Sequence, residues 1–105
     1  MSGLGDMGNL LKQAQEMQKE MEKARAEVAA ARVEGNAGGG AVQVELDGDG
    51  MIQRVTISPD VDLKDRGMLE DLVLAALRDG IGRAHRLREE RLSKVTGGLN
   101  LPGLF

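Results

Sequence analysis

LLKQAQEMQKEMEKARAEVAAA, residues 10–31, sets Leu10, Ala14, Met17, Met21, Ala24, Val28 and Ala31 at alternating steps of four and three, with no Gly or Pro between them. Apolar residues that recur every 3.5 positions line one narrow stripe of a helix. That is the pattern of a seam against another helix, whereas a helix lying on a broad core shows a wider stripe. At 1.5 Å per residue the stretch makes an arm of roughly 33 Å. Lys12 and Lys19 fall diametrically opposite the stripe, with Lys23 nearby, so the arm carries cations on its outer side.

On either side of this helix the pattern changes. Residues 1–9 contain Gly3, Gly5 and Gly8 and too little periodicity to fold alone, which predicts a flexible lead. Asn9 then serves as N-cap to a helix over 10–32. Val33 and Glu34 begin a short strand that ends in Gly35-Asn36-Ala37-Gly38-Gly39-Gly40, where the glycines free the backbone to turn and leave nothing to bury. Val42, Val44 and Leu46 alternate with Gln43 and Glu45, and Val55 and Ile57 alternate with Arg54 and Thr56. Asp47-Gly48-Asp49-Gly50 lies between the two runs, so the pair reads as a hairpin with positive-φ turn residues. Ser58-Pro59 closes the three-stranded region, 33–58, because proline cannot donate to a ladder.

A second helix is predicted over 66–96, with Asp65 as N-cap and Gly97-Gly98 as its stop. Its first half, with Leu69, Leu72, Val73, Leu74, Ala76, Leu77 and Ile81, spreads apolar residues over a wide arc suited to packing on a sheet and a neighbour together. Its second half keeps only Ala84, Leu87, Leu92 and Val95, while Arg83, Arg86, Arg91 and Lys94 gather on one side; this half projects. Residues 97–105 form a tail too short for an element. The fold class is α+β: helix, three-stranded antiparallel sheet, helix, in one domain over 1–105.

Composition narrows the function. A chain of 105 residues buries limited area alone, and Phe105 is the only aromatic residue, so the core is aliphatic and thin and self-association would help it. There is no Cys, which excludes a disulfide frame, a thiol nucleophile and a cysteine zinc site, and fits a reducing compartment. No membrane span or export signal is read, and the chain is expected in the cytoplasm. The formal charge of -3 is unevenly spread: net +1 over 12–32, -6 over 33–77 and +3 over 78–105. The centre is acidic and the helical ends are mildly basic.

Several local patterns resemble chemical sites and fail on inspection. The run at 35–40 lacks a following Lys-Ser/Thr and leads into a strand, whereas a phosphate loop must open a helix. Asp47-Gly48-Asp49-Gly50 starts like a calcium loop, but Met51 occupies the fifth position and the closing acidic residue is missing. His85 is the single histidine and has no identifiable partners for a metal site or a triad. No catalytic residue, metal, cofactor or small-molecule substrate is therefore expected.

The start Gly3-Leu4-Gly5-Asp6-Met7-Gly8-Asn9-Leu10-Leu11-Lys12-Gln13-Ala14-Gln15-Glu16-Met17-Gln18, the middle Met68-Leu69-Glu70-Asp71-Leu72-Val73 and the end Thr96-Gly97-Gly98-Leu99-Asn100-Leu101-Pro102-Gly103-Leu104-Phe105 together resemble the YbaB/EbfC family of bacterial nucleoid-associated proteins. The resemblance covers essentially the whole chain. It implies a homodimer with the sheets at its centre, helices projecting like the arms of tweezers, and binding of double-stranded DNA in the nucleoid with weak or variable sequence preference. Gly80 and Gly82 depart from the better helix formers the resemblance leads one to expect, and mark either a close helix approach or a bend.

Under that resemblance Lys12, Lys19, Lys23, Arg83, Arg86, Arg91 and Lys94 are the candidate DNA contacts, acting on phosphates by charge and counterion release. Arg88 lies within the apolar stripe and is expected to pair with a glutamate of the first helix instead; Arg25 and Arg32 flank the seam and are read as structural. The near absence of aromatic residues argues against stacking on single strands or RNA. The rival reading is an assembly factor whose projecting helices grip another protein.

Overall fold

The structure, a computed structural model, describes residues 3–97. Helix α1 (Gly3–Ala30) leads into strands β1 (Arg32–Ala37), β2 (Val42–Asp47) and β3 (Ile52–Ile57), and helix α2 (Arg66–Gly97) follows. The sheet is antiparallel in the order β1-β2-β3. The molecule is elongated, 78 × 25 × 16 Å along its principal axes. The predicted α+β order is the observed one, and the tail beyond Gly97 falls outside the described residues.

Helix α1 corrects the expected start. It begins at Gly3, so residues 3–9 of the stretch read as a flexible lead are helical and Asn9 lies inside the helix instead of capping it. The physical reason is propagation. Met7, Leu10 and Ala14 continue the apolar spacing, Asp6 in the first turn complements the helix dipole, and each glycine costs only about 1 kcal/mol relative to Ala once a long helix exists.

Strand β1 gives a second correction. It runs through Gly35 and Asn36 to Ala37 instead of stopping at Gly35, and Gly35 is buried. The turn is confined to residues 38–41, with Gly38, Gly39 and Gly40 all at positive φ. A Cβ on Gly35 would collide with the Gly80 nitrogen and the Ala76 carbonyl oxygen, and a Cβ on Gly80 would collide with Leu46 and lie 2.9 Å from Val44 Cγ2. These two glycines let α2 lie against the sheet backbone. Gly82 meets only the Arg86 side chain at 3.6 Å, so of the two helical glycines Gly80 alone marks the close approach.

Val42, Val44, Leu46 and Ala76 form the buried core, with Ala37, Leu69, Leu72, Val73 and Leu77 packed around it. Leu74 and Ile81, expected to pack as well, are exposed. Asp65 caps α2 as predicted: its Oδ1 accepts the Met68 backbone N–H at 3.1 Å. At the β2–β3 turn only Gly50 has positive φ. Asp47 Oδ1 accepts the N–H groups of Asp49 and Met51, and Gln53 is left over as a bulge between the pairs Glu45–Arg54 and Leu46–Ile52. Gly48 serves contact, not turn conformation. Its N–H donates to the Val28 carbonyl at 3.0 Å, and a Cβ there would collide with that oxygen. The hairpin tip thereby satisfies the C-terminal end of α1.

Along the free edge of β1, the Asn36 N–H donates to Asp79 Oδ2 at 3.0 Å, and Arg83 Nε donates to the same carboxylate at 3.1 Å. The Asn36 N–H first and Arg83 second hold the Asp79 carboxyl below its ordinary value of 3.8. A carboxylate whose value is depressed on folding adds stability that is present above 3.8 and disappears as pH falls through the lowered value. The stability difference between wild type and Asp79→Asn, measured by urea unfolding, is therefore expected to be largest near neutral pH and to shrink as pH falls below 3.8. The glycines give an independent test by the same method. Gly35→Ala meets backbone atoms and is expected to cost about 3 kcal/mol, Gly80→Ala meets side chains that can partly yield and costs less, and Gly82→Ala gains up to about 1 kcal/mol.

Candidate nucleic-acid interface

Helix α1 reaches the rest of the molecule only by its C-terminal half. Ala24 and Val28 are buried, Met17 and Met21 are half-buried, and every residue from Asp6 to Glu16 is exposed. The seam read from the sequence is therefore buried at Ala24 and Val28, half-covered at Met21 and Met17, and open from Glu16 to Asp6. Helix α2 runs back along α1 in the opposite direction. Arg91 Nη1 donates to Glu27 Oε2 at 3.1 Å, and Arg88 Nε lies 3.7 Å from Asp49 Oδ1 at the hairpin tip. The pairing with an α1 glutamate expected of Arg88 is made by Arg91 instead, and Arg88 pairs with the hairpin. Spacing within a helix cannot choose between neighbours when the partner's register is unknown.

The seven predicted cations fall into two groups. Lys12, Lys19 and Lys23 share the exposed outer side of α1, and Arg86 is exposed on α2; among the described residues none of the four makes an ion pair. Arg83, Arg91 and Lys94 are each paired, with Asp79 at 3.1 Å, Glu27 at 3.1 Å and Glu90 at 3.8 Å. The Arg91 and Lys94 pairs are exposed and contribute about 0–1 kcal/mol, so phosphate oxygens can replace their carboxylates at small cost, whereas Asp79 is half-buried and is also held by the Asn36 N–H. Sequence reasoning misses Asp79 and Asp49, which position Arg83 and Arg88. The i,i+4 relation of Asp79 to Arg83 is visible along the chain; the contact of Asp49 with Arg88 depends on the hairpin docking and leaves no local sign.

His85 is exposed, with Nε2 3.8 Å from Glu89 Oε1. Among the described residues no group of three or more His, Cys, Asp or Glu side chains is placed to hold a metal ion. No described helix is long and apolar enough to cross a membrane. Arg32 Nε stands 4.0 Å from Glu45 Oε1 on the sheet, which keeps it in a structural place.

Known proteins share this arrangement. Residues 3–99 match the model of the YbaB/EbfC DNA-binding family. A nucleoid-associated protein of Alkaliphilus metalliredigens is 42% identical over 106 aligned positions, covering 100% of this chain and 93% of the relative. Another from Chloroflexus aggregans is 48% identical, covering 91% of this chain and 95% of the relative. The crystal structure of an uncharacterised protein from Helicobacter pylori shares the fold, with a TM-score of 0.62 at 23% identity over 73% of this chain and 90% of that one. With an α+β core, a helix that carries Lys12, Lys19 and Lys23 past it, and a match over nearly its full length, the chain belongs to the YbaB/EbfC DNA-binding family.

Proposed function

We propose that this chain is a nucleoid-associated protein that binds double-stranded DNA as a homodimer, chiefly through the phosphate backbone. The observation that carries the reading is the row Lys12, Lys19 and Lys23, exposed along a helix that extends past the folded core and free of ion pairs among the described residues. Lysines in such a row neutralise phosphates and release counterions without reading base edges. Arg86 adds a fourth unpaired cation, and Arg91 and Lys94 join by exchanging their carboxylate partners. One chain offers few such contacts. Two arms held together by a dimer multiply them, since the second arm binds at the effective concentration set by the first.

The apolar face of β3 supplies a place for the two copies to join. Val55 and Ile57 stand opposite Val44 and Val42 on the core side of the sheet, yet they are 46% and 40% exposed, because α2 packs over β1 and β2 only. Asp79 fixes which side of α2 meets the β1 edge, and Leu74 and Ile81 lie on the other side, toward β3. The uncovered sheet face and these two side chains form one apolar surface beside an unpaired strand edge, which a second copy would cover. In this reading the protein works in the nucleoid, with duplex DNA as its partner.

A second reading rests on the arm itself. Met7, Leu10 and Leu11 are exposed near its end, and a protein partner gripped there would make the chain an assembly factor; captured material that survives nuclease, with no duplex binding, would establish it. Under the DNA reading, replacing Lys12 and Lys19 by Ala weakens binding to unrelated duplexes alike. In a salt titration, each phosphate that is no longer neutralised makes the slope of log affinity against log salt shallower by about 0.9. Val55→Asp with Ile57→Asp is expected to halve the mass seen by light scattering and to weaken DNA binding while the helical content by circular dichroism stays. Retention of the full dimer mass would exclude the β3 face as the join.

A further inference from the structure

The junction of α2 with the β1 edge places an arginine as well as closing the sheet. Gly80 lies against Gly35, and the residues beside them are joined too, the Asn36 N–H donating to Asp79 Oδ2 at 3.0 Å. Two adjoining contacts between the same helix and strand leave Asp79 little freedom to move. One helical turn on, Arg83 Nε donates to both oxygens of that carboxylate, at 3.1 and 3.2 Å. The bond is made through Nε alone. Among the described residues Nη1 and Nη2 of Arg83 make no hydrogen bond, and its side chain is 54% exposed against 31% for Asp79.

A guanidinium presents its N–H donors on separate edges. With Nε held by a carboxylate, the Nη1–Nη2 edge remains, and its parallel N–H groups match two oxygens of a phosphate. A lysine has one nitrogen and no fixed fork, so one partner cannot aim it at another in this way. Closing the sheet edge does not require the arginine, since the Asn36 N–H already ties Asp79 to β1. The carboxylate is also kept charged: the Asn36 N–H first and Arg83 second lower its value, and the charge of Arg86 acts in the same direction.

We propose that Asp79 is a positioning residue for DNA binding, keeping its hold on Arg83 Nε while the Nη edge of Arg83 takes two oxygens of one backbone phosphate. This rests on the duplex-binding reading and deepens it: Arg83 joins the interface without giving up its carboxylate, unlike Arg91 and Lys94. Asp79 itself touches no phosphate. It removes in advance the freedom that a long side chain would lose on binding, and that gain outweighs the repulsion between its charge and a polyanion.

The sign of the effect is opposite to that of charge alone. Asp79→Asn removes a negative charge and Arg83→Lys leaves the charge unchanged, so a purely electrostatic surface would bind tighter with the first and equally with the second. Anisotropy of two unrelated fluorescent duplexes is followed for wild type, Asp79→Asn, Arg83→Lys, Arg83→Ala and Asp79→Asn with Arg83→Ala. The expected result is a loss of about three- to tenfold for Asp79→Asn and for Arg83→Lys. Adding Asp79→Asn to Arg83→Ala is expected to cause no further loss. Equal or tighter binding by Asp79→Asn would overturn the proposal. So would a loss of the same size with and without Arg83, which is what a merely structural role of Asp79 produces. Arg83→Lys leaves the Asp79–Asn36 bond in place and decides the matter if Asp79→Asn fails to fold; wild-type affinity in that variant would overturn the proposal. Failure of the wild-type chain to bind either duplex would remove the DNA reading and the proposal with it, a result distinct from wild-type binding that Asp79→Asn leaves intact.

Discussion

The close approach of Gly80 to Gly35 is the contact on which the rest of the molecule depends. Where neither residue has a side chain, α2 can sit directly on the sheet, and Leu46 and Val44 fill the space a Cβ would have taken. The aliphatic core is small, with Leu46 its largest buried side chain. A helix held farther off would leave that core without its cover, because no aromatic ring is present in the described residues to fill a wider gap. The approach also carries Asp79 to the β1 edge, where it accepts the Asn36 N–H and blocks one open side of the sheet. The other edge, β3, has no such cover among the described residues, and the sheet is asymmetric for that reason.

A second constraint fixes the arm. The hairpin tip donates the Gly48 N–H to the Val28 carbonyl and sets Asp49 against Arg88, so the C-terminal end of α1 and the C-terminal half of α2 meet on one turn. That turn leads straight into β3. Strand, turn and both helices are therefore linked within a few residues, and a partner settling on β3 would act close to the point from which the arms diverge. Coupling of this kind needs no long path through the core, only the stiffness of a turn whose N–H groups are held by Asp47 Oδ1.

What the sequence discloses and what it withholds follow from the range of the forces involved. Alternation at Val42, Val44 and Leu46, the Asp65 cap and the 3.5-residue seam of α1 are local patterns, and the structure keeps the first two whole and buries the seam at Ala24 and Val28. Gly35 is misread from sequence because a glycine that permits a turn and a glycine that permits contact look the same along the chain; only Gly80, far off in sequence, tells them apart. The start of α1 is misread when glycine frequency is weighed above the continued spacing of Met7, Leu10 and Ala14. Among the candidate DNA contacts, sequence spacing finds the exposed row Lys12, Lys19 and Lys23. It cannot show that Arg83 is held by Asp79 or Arg91 by Glu27, since the second pair joins helices whose register is set by packing.

A chain of net charge -3 in a DNA-binding family raises a question of electrostatics that distance answers. The acidic residues Asp60, Asp62, Asp65, Glu70 and Asp71 lie in the loop before α2 and in its first turns, at the sheet end of the molecule. Lys12 is separated from the end of α1 at Ala30 by roughly 27 Å of helix, and the acidic loop lies beyond that. The Debye length at physiological salt is about 8 Å, so exposed charges that far apart scarcely interact. A polyanion at Lys12 would therefore meet the acidic loop only through several screening lengths, and the nearer anions are Glu16, Glu20 and Glu22 of the arm itself. Repulsion from the core therefore subtracts little from the attraction of the arm.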